Sequence, residues 1–115
     1  MSSGAPTALF SYGTLQLKEV QLANYGRELE GERDALAGYR LEDLVIDSAA
    51  VVEVSGKAVH TIARRTGDPA DRIGGTVFLL EPDELAATDD YETAAYSRVE
   101  VVLESGRSAW AYVAR

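Results

Sequence analysis

The sequence predicts an α+β fold, a small mixed β-barrel carrying two short helices. Three observations lead there. Apolar runs of strand length recur from Leu9 to Val113, while only Gln16–Asn24 and Pro82–Asp90 read as helix. The strands do not alternate one for one with helices, as a parallel α/β sheet requires. A chain of 115 residues, 46% hydrophobic and 26% charged, fills one core and not two.

Residues 1–7 (MSSGAPT) are expected to form a flexible tail ahead of a single domain spanning 8–115. Leu9–Tyr12 is the first strand, and it stops on Gly13. Glycine there is expected to permit a tight turn that other residues do not tolerate, leaving backbone N–H groups facing outward. The first helix is weakly amphipathic through Leu17, Val20 and Ala23. GRELEGERD at 26–34 reads as a polar surface connection, and Gly38 as a turn before an extended Tyr39–Ile46. VVEVSGKAVHTIA and VEVVLESGRSAWAYV each read as a β-hairpin, with two-residue turns near Ser55-Gly56 and Ser105-Gly106. RTGDPADRIGG between them reads as a loop, and Thr76–Leu80 as a short apolar strand. Pro82 and the acids behind it open the second helix, expected to end just before or at Glu92. Trp110 and Tyr112 on the last strand are expected on opposite faces, one of them in the core.

Composition excludes several function classes. A net charge of −8 argues against nucleic acid or an anionic membrane as partner, since phosphate binding needs a basic face. The chain has no cysteine, so disulfides and thiolate chemistry are excluded. MSSGAPT lacks the basic-then-apolar pattern of a signal peptide, and no run approaches the length of a membrane span. The expected location is the cytoplasm. With one histidine, a His-rich metal site is impossible. His60 lies within a strand run, where a packed side chain is the commoner role, although its titration near neutrality keeps it a rival base. No phosphate-binding glycine loop and no nucleophile-elbow pattern occurs.

What remains is acid. DDYETAAYSR at 89–98 sets Asp89, Asp90 and Glu92 beside Tyr91, Tyr96 and Arg98, between a helix end and a strand start. A solvated helix terminus is one explanation. The other is a site, because the negative end of the helix dipole and partial burial both raise a carboxyl's proton affinity, and such a glutamate is a usable general base. Arg98 either grips a carboxylate in two-pronged fashion or pairs with Asp89 or Asp90.

FSYGTL, LAGYRL, GGTVFLL and DDYETAAYSR follow one another here in an order that resembles the γ-glutamylcyclotransferase-like (AIG2-like) family, small bacterial type, from Leu9 to Val113. The resemblance implies a compact barrel in which Tyr12, Gly13, Thr14 and Leu15 border a cavity and bind the polar end of a substrate. It implies Glu92 as proton acceptor. Tyr96, Arg98 and Tyr112 are second-tier substrate-binding candidates on position, the first two because they follow Glu92 closely. It also implies a small γ-glutamyl compound as partner, cyclised to 5-oxoproline with release of an amine by an acyl (cyclo)transferase or lyase needing no metal or organic cofactor. The chain departs from the family at Thr88, where an apolar residue is usual, and in AVHTIARR, where a proline is frequent. A non-catalytic module binding a small metabolite or a protein on the same fold is the competing function.

Overall fold

The structure is a computed structural model describing residues 6–45, 59–92 and 96–114. Strand β1 (Thr7–Ser11) leads into a 3-10 turn (Thr14–Gln16) and helix α1 (Lys18–Tyr25). Strands β2 (Gly31–Ala37), β3 (Tyr39–Val45), β4 (Val59–Arg65) and β5 (Arg72–Leu80) follow. Helix α2 (Pro82–Tyr91) and the hairpin of β6 (Tyr96–Val102) and β7 (Ser108–Ala114) complete the described residues. Among them, no helix is long and apolar enough to cross a membrane.

The strands form one mixed sheet in the order β2-β5-β1-β7-β4-β3, with β6 on the other edge of β7. Its end strands, β2 and β3, are one run of chain bent at Gly38, whose φ of 84° is a left-handed corner that suits glycine. The Gly38 N–H donates to the Asp71 carbonyl at 2.8 Å, and the Gly38 carbonyl accepts from Thr66 N–H at 2.8 Å. The sheet therefore curls round by covalent continuity at this corner rather than by a closed ladder of hydrogen bonds. That barrel-like mixed sheet with two helices is the α+β architecture the sequence predicts.

Strand alternation splits the core into two clusters. Phe10, Leu36, Ala63, Ile73, Val77, Val101, Ala111 and Val113 pack together in one of them. Leu9, Val20, Leu29, Phe78, Leu80, Tyr96 and Tyr112 build the other, to which α1 contributes Val20 and α2 adds Leu85. The helices are tied to each other as well. Arg27 grips Glu84 through two 2.8 Å hydrogen bonds, and Thr88, fully buried, donates to the Glu84 carbonyl while accepting from the Tyr25 hydroxyl. The polar residue at 88 thus finds both its partners inside a helix–helix contact. Glu84 also accepts from the Glu81 N–H at 2.9 Å, closing the first turn behind Pro82.

Several expectations are corrected. The 26–34 segment is not wholly a connection: from Gly31 it is an edge strand paired with β5, and its Glu32 and Arg33 misled because exposed edge strands carry charge. RIGG belongs to β5, which starts at Arg72, so the loop is only 66–71. The chain leaves β1 through a 3-10 turn before α1, and α1 buries Val20 and Gln21 rather than a Leu17, Val20, Ala23 stripe. The β6–β7 turn has three residues, Glu104–Gly106, because Leu103 N–H bonds the Arg107 carbonyl and Gly106 takes φ 89°. Trp110 and Tyr112 share a face and a cluster, as residues two apart on a strand must. The turn expected at Ser55-Gly56 lies outside the described residues.

Gly75 is a glycine on which the close approach of two strands depends. A Cβ there would stand 2.4 Å from the Ser11 carbonyl oxygen and 2.7 Å from the Phe10 ring, both fixed by β1–β5 pairing. Gly75→Ala is expected to destabilise the fold by about 3 kcal/mol, the upper range for overpacking. Chemical denaturation measures this, and an unchanged midpoint would show that β1 and β5 are not held as described.

Candidate functional site

Strand β7 has one edge filled by β6, and on the other edge two strands compete. β1 runs parallel to it at Leu9–Trp110 and Phe10–Ala111, and β4 runs parallel to it at Ala63–Val113. Between these pairings stands the side chain of Tyr12, which follows β1. Its hydroxyl donates to the Tyr112 carbonyl at 2.5 Å and accepts from the Ala63 N–H at 2.9 Å. One phenol thus stitches β4 to β7 where β1 leaves the sheet.

A cavity of about 330 Å³ opens at this fork. Tyr12, Gly13, Thr14, Leu15, Glu92, Tyr96 and Tyr112 all line it. Its floor is closed by buried Phe10 and Leu15, and its rim includes Leu17 and Leu41, both more than one-third exposed. Phe10 and Tyr12 also meet ring to ring, with centroids 6.5 Å apart.

The loop after β1 is fixed from three sides. The Gln16 and Leu17 N–H groups bond back to the Gly13 and Thr14 carbonyls, making the 3-10 turn. Gln21, buried in α1, donates to the Leu15 carbonyl and accepts from the Leu29 N–H, both at 2.8 Å. The Thr14 hydroxyl meets the Tyr91 hydroxyl at 2.8 Å, tying the loop to the last turn of α2, one residue before Glu92. Among the described residues, the N–H groups of Gly13, Thr14 and Leu15 meet no acceptor, as expected for the first turn of a helix. The expectation about Gly13 is corrected: its φ is −123°, within the range of other residues, and a Cβ would meet only Thr61 Oγ1 at 4.0 Å. What glycine preserves is open space beside the cavity wall, not a strained turn.

Glu92 caps the C-terminus of α2, its N–H bonded to the Thr88 carbonyl, and then leaves the helix with extended dihedrals. That exit delivers a half-buried glutamate to the cavity. Burial pushes its carboxyl up to about 8, and the Asp89 carboxylate nearby adds to the rise. Among the described residues no cation or hydrogen-bond donor meets this carboxyl directly, so near neutrality the group holds a proton it can exchange.

The remaining candidates divide. Burial also pushes the phenols of Tyr12, Tyr96 and Tyr112 well above the tyrosine range, so they stay protonated. Each donates within the protein: Tyr96 to the Thr61 carbonyl at 2.8 Å and Tyr112 to Asp89 Oδ1 at 2.5 Å, beside the Tyr12 bond already described. They therefore offer the cavity ring faces and lone pairs. Arg98 is not in the cavity wall. Its Nε lies 2.9 Å from Asp89 Oδ1 and its guanidinium sits 4.6 Å over the Trp110 ring, which is the ion-pair alternative rather than the carboxylate grip. His60 lies in β4 opposite Leu44. Sequence reasoning missed Ser11, Gln16, Thr61 and Leu41 as wall residues. Only Gln16, next to the glycine loop, carried a signal. Among the described residues no group of three or more His, Cys, Asp or Glu is placed to hold a metal ion.

A family model described as gamma-glutamyl cyclotransferase, AIG2-like, matches residues 9–115. Among solved structures, the fold is similar to that of an uncharacterised Homo sapiens protein, with TM-score 0.74 and 17% identity over 97% of this chain and 68% of the other. A structure titled gamma-glutamyl cyclotransferase gives TM-score 0.73 and 15% identity over 96% of this chain and 67% of that one. The solution structure of an Arabidopsis thaliana protein gives 0.69 and 18%, over 99% and 65%. The chain thus spans about two thirds of the length of these structures, and at such identities the likeness is one of fold. No curated protein matches the sequence.

Glu92 links stability to pH. A carboxyl whose folded-state value rises from 4.5 to about 8 binds its proton more tightly folded than unfolded. Its contribution is fully present below about 4.5 and is lost as pH rises toward 8, at up to about 1.4 kcal/mol per unit. Glu42, Glu84 and Glu104, held low by Arg64, Arg27 and Arg72, act in the opposite sense and only in more acid solution. Denaturation of the wild type is expected to show stability falling between pH 5 and 8, and Glu92→Gln is expected to lack that slope. Parallel profiles for the two proteins would contradict the burial of this carboxyl.

Proposed function

Because the chain belongs to the gamma-glutamyl cyclotransferase, AIG2-like family, we propose that it cyclises a γ-glutamyl amine or peptide to 5-oxoproline, with Glu92 as the group that moves the proton. The observation carrying this reading is a single one: a glutamate with a carboxyl raised to about 8 shares a cavity with a loop of open backbone N–H groups.

The chemistry suits those parts. A substrate α-ammonium titrates near 8, so a carboxylate of matching proton affinity takes its proton with little free-energy change. The rings of Tyr12, Tyr96 and Tyr112 favour a cation at that end of the cavity. The freed amine attacks its own γ-carbonyl and closes a five-membered ring. Folding the substrate back on itself removes much of the entropic barrier to that step. The N–H groups of Gly13–Leu15 face the carbonyl oxygen as it becomes anionic, or hold the α-carboxylate. As the tetrahedral centre collapses, the bond from the γ-carbon to the old nitrogen breaks. Glu92 gives its proton to that departing nitrogen, and the second proton lost by the ring nitrogen charges the released amine. No nucleophilic side chain is needed, in keeping with a chain that has no cysteine.

Release of 5-oxoproline from a panel of γ-glutamyl amines and dipeptides tests the reading. Glu92→Gln keeps the size of the side chain and is expected to lower turnover by roughly two or more orders of magnitude. For the wild type, kcat/KM is expected to fall on the acid side with a midpoint near 8, where the carboxylate takes up its proton. His60→Gln is expected to keep that limb. Turnover surviving in Glu92→Gln, or a limb lost in His60→Gln, would move the proton transfer elsewhere.

A further inference from the structure

The last turn of α2 carries a second carboxylate that lies outside the cavity wall yet touches it through a neighbour. Asp89 Oδ1 accepts from the Tyr112 hydroxyl at 2.5 Å and forms an ion pair with Arg98, whose Nε lies 2.9 Å away. Arg98 and Tyr112 are direct cross-strand partners in the β6–β7 hairpin, so one carboxylate bridges both strands of the ribbon. Arg98 is steadied from below by the Trp110 ring at 4.6 Å. Three residues beyond Asp89, the chain leaves the helix at Glu92 and enters the cavity that Tyr112 also lines.

We propose that Asp89 is a positioning residue for Glu92: clamped between Arg98 and Tyr112, it fixes the end of α2 from which Glu92 enters the cavity and keeps a negative charge beside it. The inference rests on the reading of Glu92 as the proton-moving group. An acid at a helix C-terminus is unfavourable in itself, because the dipole is negative there, so its neighbours must hold it. Arg98 does so, and in doing so also masks part of the charge that Glu92 experiences. Asp89 and Arg98 therefore act on Glu92 with opposite sign.

Among the described residues, the titratable groups that interact with Glu92 from the surrounding elements are phenols apart from Asp89. They are Tyr12 after β1, Tyr25 on α1, Tyr96 on β6 and Tyr112 on β7, and each is pushed up in part by the Glu92 charge. Burial holds Tyr25 up to about 12 and the other three higher still, so none changes charge near neutrality. Burial raises Glu92 most, and Asp89, itself paired with Arg98, is the neighbouring charge that adds to that rise.

The test is a substrate-free titration of the Glu92 carboxyl by carbon-13 NMR in wild type, Asp89→Asn and Arg98→Gln, with Glu92→Gln assigning the signal. Asp89→Asn keeps an oxygen for the Tyr112 hydroxyl but leaves Arg98 as an unpaired cation, so the midpoint is expected to fall by about one pH unit. Arg98→Gln leaves Asp89 unmasked, so the midpoint is expected to rise. Where turnover is present, the acid limb of kcat/KM moves with each. Loosening of the helix end alone would admit water and move both midpoints the same way, downward. Shifts of the same sign, or none, overturn the positioning role while a raised wild-type midpoint leaves the reading of Glu92 standing. A wild-type midpoint at the ordinary glutamate value overturns that reading instead.

Discussion

The hydroxyl of Tyr12 is the contact on which the site depends. β4 reaches β7 at Ala63–Val113, just beyond the point where β1 has finished pairing with the same edge. The phenol inserts there between an N–H of one strand and a carbonyl of the other, taking both. A sheet that must share one edge between two strands has a gap, and a gap lined with unpaired backbone is costly to bury. Tyr12 satisfies the backbone at the gap while leaving space above it. The cavity is what remains of that space, and its walls come from the strands that meet there.

Several polar groups that line the cavity are already engaged by hydrogen bonds within the protein. Gln21 anchors Leu15, Tyr91 meets Thr14, and Tyr96 and Tyr112 spend their hydroxyl protons on Thr61 and Asp89. Glu92 is the exception, with burial and a neighbouring carboxylate both opposing its charge. A fold tolerates such a group because the strain is local and the core beneath it is well packed, and groups of this kind concentrate where proton chemistry is done. The surface carboxylates show the contrast: Glu42, Glu84 and Glu104 each meet an arginine and are held below the ordinary range.

Much of this was legible in the sequence, and the exceptions have physical causes. The β6–β7 hairpin, the start of α2 at Pro82 and its end beside Glu92 follow from local turn and capping chemistry, which short stretches encode. Gly31–Asp34 reads as loop because an exposed edge strand and a surface loop carry the same charged residues. Gly74 and Gly75 read as loop because glycine marks turns, whereas Gly75 is needed for the close approach of β1. Gly13 reads as a tight turn for the same reason, and what it preserves is open space. Leu41 and Thr61 could not be found locally, since they reach the cavity only once β3 and β4 have curled round to β7. For Arg98 the sequence leaves open a substrate contact and an ion pair with Asp89 or Asp90, and the fold supplies the second, with Nε 2.9 Å from Asp89 Oδ1.

The central claim is that one cavity holds both the loop that receives the carbonyl and the carboxyl that moves the proton. The most direct measurement is a crystal structure of Glu92→Gln soaked with a γ-glutamyl amine that the variant does not consume. The account predicts the ligand folded back on itself at the fork, its α-nitrogen within about 3 Å of the residue 92 side chain and an oxygen on the Gly13–Leu15 N–H groups. A ligand bound elsewhere, or one lying in the cavity with its α-nitrogen turned toward the Leu17 and Leu41 rim, would contradict it.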